Sequence, residues 1–225
     1  LKEIIKKYEH PIIGIIGATS PLQSYDCDDA YRLGYELRNF IEEKGTLFTG
    51  GVSGVGLDIY EGIVGYSLEK NVSDKFFVLF PNMKLNPPEE YFKLAEKTKD
   101  KILKVERVGE DMKERRTYVA GVADILVVMN GAVGTIDEAL KGLVLKKPLL
   151  CLQNSGGAAE VITKFKKGEI QGLPLDINKE LIHSFDSISE LVNYLSSKDF
   201  CNLTGENKWK NLILKINSKK GIKNF

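Results

Sequence analysis

The sequence predicts an α/β domain, a Rossmann-like three-layer fold with a mainly parallel central sheet and helices on both faces. Three observations point to it. Short β-rich apolar runs alternate with longer stretches of helical periodicity, the pattern of βαβ units. One run, Ile125 to Met129, is apolar at every position, as a central strand covered on both faces must be. Glycine turns stand at the carboxyl ends of several runs, where a parallel sheet passes its chain to a helix. With 225 residues, 43% of them hydrophobic, the chain is long enough for one filled core plus an appendage.

The elements follow in order. Ile12 to Ile16 reads as the first strand, closing at Gly17. From about Asp28, the spacing of Tyr31, Leu33, Leu37, Phe40 and Ile41 gives a helix with one apolar stripe, stopped at Gly45. Leu47 and Phe48 begin a second strand that ends at Gly50 and Gly51. A helix from about Val55 to Leu68 leads to a third strand, Phe76 to Phe80, ended by Pro81. Pro87 and Pro88 open a polar segment, helical or irregular. Ile102 to Val108 reads as a strand and Asp111 to Val122 as a helix. After the central strand come a helix from Gly134 to Lys146, a strand from Leu149 to Leu152, and a helix from Gly156-Gly157 through Lys166. Beyond Gly172, Pro174 and Asp176 the pattern weakens, leaving one more helix at Ile188 to Leu195. The reading divides the chain into a Rossmann-like nucleotide-binding domain over 1–200 and an amphipathic helical tail over 201–225. In that tail Trp209, Leu212, Ile213 and Ile216 sit at helical spacing among lysines, suited to docking on the domain or on a partner subunit.

Composition removes several function classes. Lys+Arg number 32 against 31 Asp+Glu, so no global field recruits nucleic acid or a membrane, and an anion site must be local. Cys27, Cys151 and Cys201 are odd in number and far apart, which suits a reducing compartment rather than a disulfide framework. His10 and His183 lie near no second Cys or His at ligand spacing, so no zinc site is expected. No apolar run approaches the ~18 residues of a membrane span. Lys2, Glu3, Lys6 and Lys7 break the apolar core that a signal peptide needs, and the expected location is cytoplasmic.

The candidate chemistry lies in four glycine turns at strand ends: Gly17-Ala18-Thr19-Ser20, Gly50 to Gly56, Gly131-Ala132-Val133-Gly134-Thr135, and Ser155-Gly156-Gly157. In an open parallel sheet these ends share one edge. Glycine admits an anion close to the backbone, and the helix after each turn offers free N–H groups and a positive dipole end. Each turn taken singly is equally well explained by loop geometry. Known phosphate and nucleophile fingerprints fail. Gly51 to Gly56 has P-loop spacing, but Leu57-Asp58 stands where Lys-Ser/Thr is required. Gly51-Val52-Ser53-Gly54-Val55 lacks the last glycine of a nucleophile elbow.

The most specific segment is Asn130-Gly131-Ala132-Val133-Gly134-Thr135-Ile136-Asp137-Glu138, which leaves a buried strand and opens a helix. Upstream lies Met112-Lys113-Glu114-Arg115-Arg116, near the start of the helix feeding that strand. These two segments resemble the LOG ("lonely guy") family of cytokinin-activating phosphoribohydrolases, long labelled possible lysine decarboxylases. That family pairs an Arg-Lys motif with PGGxGTxxE after the next strand. Arg115-Arg116 is similar to the pair, and Gly131, Gly134, Thr135 and Glu138 match the loop. The turns at Gly17 and at Gly50-Gly51 resemble the family's first two. Asn130, Ala132 and Arg116 depart from its proline, second glycine and lysine. The likeness spans roughly residues 11–165 and extends to relatives that include molybdenum-cofactor carriers and nucleotide-sensing domains.

The resemblance implies hydrolysis of a nucleoside 5′-monophosphate to free base and ribose 5-phosphate. Glu138 and Arg115 would be catalytic. Gly17, Thr19, Gly50, Gly51, Gly54, Arg116, Gly131, Ala132, Gly134 and Thr135 would hold the ligand's phosphate. It implies no required cofactor or metal, a bound AMP-like nucleotide or molybdenum cofactor as ligand, and a homo-oligomer, dimer or higher. The alternative is a non-catalytic nucleotide or molybdenum-cofactor carrier using the same edge. Without the resemblance, Arg115 reads equally well as a surface cation paired with Glu114 or Asp111, and Glu138 as an acid answering a helix dipole.

Overall fold

The computed structural model describes residues 1–42, 44–172 and 177–197. Seven strands form one sheet: β1 (Ile12–Gly17), β2 (Thr46–Thr49), β3 (Phe76–Phe80), β4 (Val105–Arg107), β5 (Ile125–Met129), β6 (Leu149–Leu152) and β7 (Ile182–Phe185). Their order is β4-β3-β2-β1-β5-β6-β7, and every pairing is parallel. Among the described residues eight α-helices flank the sheet, α1 (Lys2–Lys7) before the first strand, α8 (Ile188–Leu195) after the last, and between strands α2 (Cys27–Ile41), α3 (Val55–Lys70), α4 (Glu89–Lys97), α5 (Met112–Val122), α6 (Val133–Val144) and α7 (Gly157–Lys167). The fold is therefore the Rossmann-like three-layer α/β class that the alternating pattern predicts. The tail over 201–225 lies outside the described residues, as do Pro174 and Asp176.

Strands β2, β3, β5 and β6 are buried at every position because each face of the sheet carries its own helical layer. On one face, Leu33, Leu37, Ile59, Ile63, Tyr91 and Leu191 bring α2, α3, α4 and α8 onto Ile13, Ile15 and Val127. On the other, Ile4, Val119, Leu143 and Ile162 bring α1, α5, α6 and α7 onto Ile12, Ile16 and Val128. Alternation along each strand decides which core a side chain joins.

Two elements escape a pattern reading. β7 is a half-buried edge strand whose residues, Ile182, His183, Ser184 and Phe185, carry little apolar signal. Helix α1 is six residues long and buries only Ile4. The strand expected over Ile102 to Val108 is real only at Val105–Arg107. Lys101 has φ +54° and Ile102 is 69% exposed, so the chain is still turning where apolar character alone suggested pairing. The polar segment after Pro88 is helical, as α4.

Helices α2 and α3 pack backbone to backbone. A Cβ on Gly62 would fall 1.8 Å from the Tyr31 carbonyl oxygen, and one on Gly34 would fall 2.0 Å from that of Ile59. Since neither atom is the end of a flexible side chain, Gly62→Ala will force the helices apart. The expected loss is on the order of 3 kcal/mol, read as a lower urea midpoint at unchanged slope.

The same layer buries a carboxyl. Asp74 accepts hydrogen bonds from the Tyr60 hydroxyl (2.9 Å) and the Phe76 N–H (3.3 Å). Burial pushes its pKa up to about 6, against the pull of Tyr60 and Lys104. The folded state thus holds a proton that the unfolded chain releases near pH 4, and stability falls as pH rises from about 4 to about 6. Asp74→Asn, which keeps an acceptor, removes that slope. Relative to wild type, the variant should gain roughly 2 kcal/mol between pH 4 and pH 7, checked by denaturant titration at both values.

Candidate functional site

The strand order reverses between β1 and β5, so the chain leaves these neighbours in opposite directions and opens a crevice at their carboxyl ends. A cleft of about 270 Å³ occupies it. Gly17, Thr19 and Ser20 line it from the end of β1 and the turn after it, Gly50 and Val52 from the turn after β2, Gly56 from the start of α3, and Met112, Arg115 and Arg116 from α5. Ala132 lines it from the turn after β5, and Gly134, Thr135 and Glu138 from the first turns of α6.

The turn after β5 is built by two left-handed residues, Asn130 (φ +52°) and Gly131 (φ +108°). A Cβ at Gly131 would lie 2.6 Å from the Thr135 hydroxyl oxygen, so glycine there lets Thr135 fold beneath the turn. Ala132 caps α6 with φ −118°, an ordinary extended conformation that needs no glycine. The Val133 and Gly134 amides open α6, the Thr135 N–H being taken by the Ala132 carbonyl (3.0 Å), and the helix dipole places its positive end in the cleft. Arg116 adds a cation there. One of its terminal nitrogens lies 2.9 Å from where a Gly134 Cβ would stand, and Nη1 is 3.5 Å from Asp137 Oδ2. A helix N-terminus beside a guanidinium is chemically an anion site.

Helix α5 presents Arg115 from below. Its start is fixed by Asp111, which accepts the Glu114 N–H (2.7 Å), while the Glu114 carboxylate accepts the Glu110 N–H (2.8 Å). Both acids are occupied by the cap, and Arg115 turns inward instead of pairing with either. It is 4% exposed. Nη2 donates to Glu138 Oε1 (2.7 Å) and Nη1 to the Gly50 carbonyl (3.0 Å). Among the described residues its Nε finds no acceptor. A Cβ at Gly50 would sit 2.0 Å from Nη1, so only glycine lets the guanidinium reach the turn.

Glu138 is 5% exposed and completes the pair. Burial pushes its carboxyl up from the usual range, with Arg115 and then Arg116 drawing it back. Burial also works against the Arg115 charge, and Glu138 opposes that. A guanidinium titrates so far above neutrality that it keeps its proton. The cleft floor is a cation bonded to an acid whose charge is held at a cost.

Of the residues expected to bind phosphate, Gly17, Thr19, Gly50, Arg116, Ala132, Gly134 and Thr135 line this cleft, as do Arg115 and Glu138. Gly51, Gly54 and Gly131 stand behind the lining and shape it. Gly51 (φ +66°) packs on Val78 and Phe80, and Gly54 (φ +74°) packs on the Ala18 and Thr19 carbonyls. The Val55 N–H, first in α3, donates to the Ala18 carbonyl (3.1 Å) and offers nothing to a ligand.

The fourth turn does not converge on the cleft, which corrects the expectation of four turns around one ligand. Gly157 packs on Gly131, and the Ala158 and Ala159 amides of α7 donate to the Gly131 (2.8 Å) and Asn130 (3.3 Å) carbonyls. The start of α7 is spent on bracing the third turn. Ser20, Val52, Gly56 and Met112 also line the cleft; they lie within the segments that the sequence marks, but nothing singles them out there as contacts, since lining of this kind has no residue-type signature.

Among the described residues, Asp26, Cys27 and Asp28 bring metal-ligand atoms within 4.8 Å of one another. They are exposed, and the Asp26 carboxylate already accepts the Asp28 N–H (2.8 Å) as the cap of α2. No helix among the described residues is long and apolar enough to cross a membrane.

No family model and no curated protein matches the chain. Solved structures do. The structural-genomics target TM1055 is 20% identical, with a TM-score of 0.60 over 82% of this chain and 97% of its own. The molybdenum cofactor carrier protein of Chlamydomonas reinhardtii is 20% identical, with a TM-score of 0.57 over 87% of this chain and 99% of its own. DNA processing protein A of Helicobacter pylori, described as binding single-stranded DNA, is 15% identical, with a TM-score of 0.55 over 87% of this chain and 83% of its own. These likenesses establish the fold. It is shared with molybdenum cofactor carriers, which are among the relatives that the arginine pair and glycine loop imply.

Proposed function

We propose that the chain hydrolyses the N-glycosidic bond of a nucleoside 5′-monophosphate, giving free base and ribose 5-phosphate. The observation that carries this reading is the buried Arg115–Glu138 pair (2.7 Å) on the floor of a cleft whose rim is a helix N-terminus flanked by Arg116. The rim offers the phosphate N–H groups from the start of α6 and one guanidinium. This anchors the ribose with C1′ toward the floor. As the C1′–N bond breaks, its electron pair leaves with the base and positive charge builds on C1′ and the ring oxygen. Glu138, as a buried carboxylate, stabilises that charge and takes a proton from the water that attacks C1′. The departing base takes up a proton from solvent, and Glu138 gives its own back to solvent, so the cycle closes. Arg115 holds Glu138 in place and keeps it ionised.

A second reading has its own support. Structures described as molybdenum cofactor carriers or binding proteins share this fold, and an anion rim with a bonded floor also suits a site that holds its ligand unchanged. One experiment separates the two. The purified chain is incubated with AMP, GMP, CMP and UMP, and free base and ribose 5-phosphate are quantified by chromatography. The hydrolase reading expects turnover of at least one monophosphate and none of its nucleoside, which lacks the anchoring phosphate. No release from any of the four overturns it. A molybdopterin or nucleotide carried intact through purification then supports the carrier.

A further inference from the structure

Asn130 stands where the resembled loop motif has proline, and the structure shows why proline is excluded. Its φ is +52°, whereas proline is fixed near −65°. Its N–H donates to the Ser155 hydroxyl (2.7 Å), a bond proline has no hydrogen to make. Its side chain is fully buried and uses both ends. Oδ1 accepts the Leu22 N–H (3.0 Å), and Nδ2 donates to the Ser155 carbonyl (2.6 Å).

One residue therefore joins three crossovers. Leu22 belongs to the connection between β1 and α2, whose first residues, Gly17 to Ser20, form one wall of the cleft. Asn130 belongs to the turn that forms the opposite wall, and Ser155 to the turn before α7. The β1–α2 connection is tied on its other side to α3, through the Ala18 carbonyl with the Val55 N–H (3.1 Å) and the Tyr25 hydroxyl with the Asp58 carboxylate. Without the bond to Asn130, the stretch between those two ties would be free to vary the width of the cleft. We infer that Asn130 is a positioning residue: through Leu22 and Ser155 it fixes the spacing between the two walls that grip the ligand. The inference rests on the proposed monophosphate site for its ligand, but not for its mechanics.

The test follows both with the full chain. Asn130→Gly keeps the left-handed backbone and deletes both side-chain bonds. Asn130→Asp keeps the backbone and the acceptor for Leu22. Amide hydrogen exchange is followed over residues 19–25, with β5 as internal reference, and AMP affinity is measured by calorimetry. Asn130→Gly should speed exchange in the loop at least tenfold and weaken AMP binding about tenfold, while β5 stays protected. Asn130→Asp loses the Nδ2 donor to the Ser155 carbonyl, and should recover part of both at pH 5, where burial keeps its carboxyl protonated and able to donate to Ser155. Loop exchange and affinity within twofold of wild type in Asn130→Gly would overturn the inference. So would lost affinity without faster loop exchange, or equal losses in the two variants. Should Asn130→Gly lose protection in β5 as well, Asn130→Asp decides alone, a tenfold-faster loop in that variant counting against the inference. If wild type binds none of AMP, GMP, CMP and UMP, the monophosphate reading falls, and loop exchange still decides whether Asn130 braces the wall.

Discussion

Replacing Glu138 with glutamine should lower kcat for the responsive monophosphate by about 10³-fold, with its dissociation constant changed only a few-fold. Glutamine matches the volume of glutamate and can still accept from Arg115 Nη2. What it removes is the negative charge that stabilises C1′ in the transition state and the basic oxygen that receives the proton of water. The phosphate rim, made by α6 and Arg116, is untouched, so ground-state binding survives. The pH profile gives an independent reading. Burial raises the Glu138 carboxyl, so the acid limb of the wild-type rate should lie above the usual carboxylate range, with turnover climbing as the group ionises. In Glu138→Gln that limb should vanish. Steady-state kinetics from pH 4 to pH 9, on protein shown folded by circular dichroism, makes the measurement. Equal rates in the two proteins would remove Glu138 from the chemistry.

Arg115→Met should cost about 3–5 kcal/mol of folding stability, the usual consequence of leaving one partner of a buried pair charged and alone. The methionine keeps the aliphatic stem, so the loss is electrostatic rather than a cavity. The Gly50 carbonyl also loses its donor. Two controls follow from the cause. Adding Glu138→Gln to Arg115→Met removes the stranded charge, and the double variant should be more stable than Arg115→Met alone, a non-additivity expected of groups in contact. Without the guanidinium, the carboxyl's pKa in the folded state rises further above its unfolded value. Its penalty is absent at low pH and grows as pH climbs through the folded pKa. The deficit of Arg115→Met should therefore be smaller at pH 5 than at pH 8. Urea unfolding at the two values reads it, and an additive double variant would argue against direct coupling.

Much of the fold was legible because burial on both faces leaves a simple trace. Ile125 to Met129, Phe76 to Phe80 and Leu149 to Leu152 are apolar at every position, and the structure returns each with the same bounds. Legibility fails where burial is partial. His183 and Ser184 in β7 sit at an edge where polar residues are tolerated. Ile102, apolar but 69% exposed, extended a strand on paper that the backbone had not yet begun. At the site, glycine and charge marked the right turns without distinguishing their roles. Gly50 and Gly131 look alike in sequence, yet one makes room for a guanidinium and the other for a threonine.

By itself the sequence determined the layered α/β class, the strand ends where a ligand is offered backbone, and the pairing of an arginine helix with an acidic loop. These are local facts, written in periodicity, in residue type and in the freedom of glycine to turn left. Tertiary structure decided the rest. Arg115 became a buried partner of Glu138 rather than a surface charge, α7 was spent as a brace, and Asn130 came to tie three crossovers. The physical reason is that a buried donor or charge is defined by what surrounds it. For Arg115 those surroundings are residues 65 positions before it and 23 after.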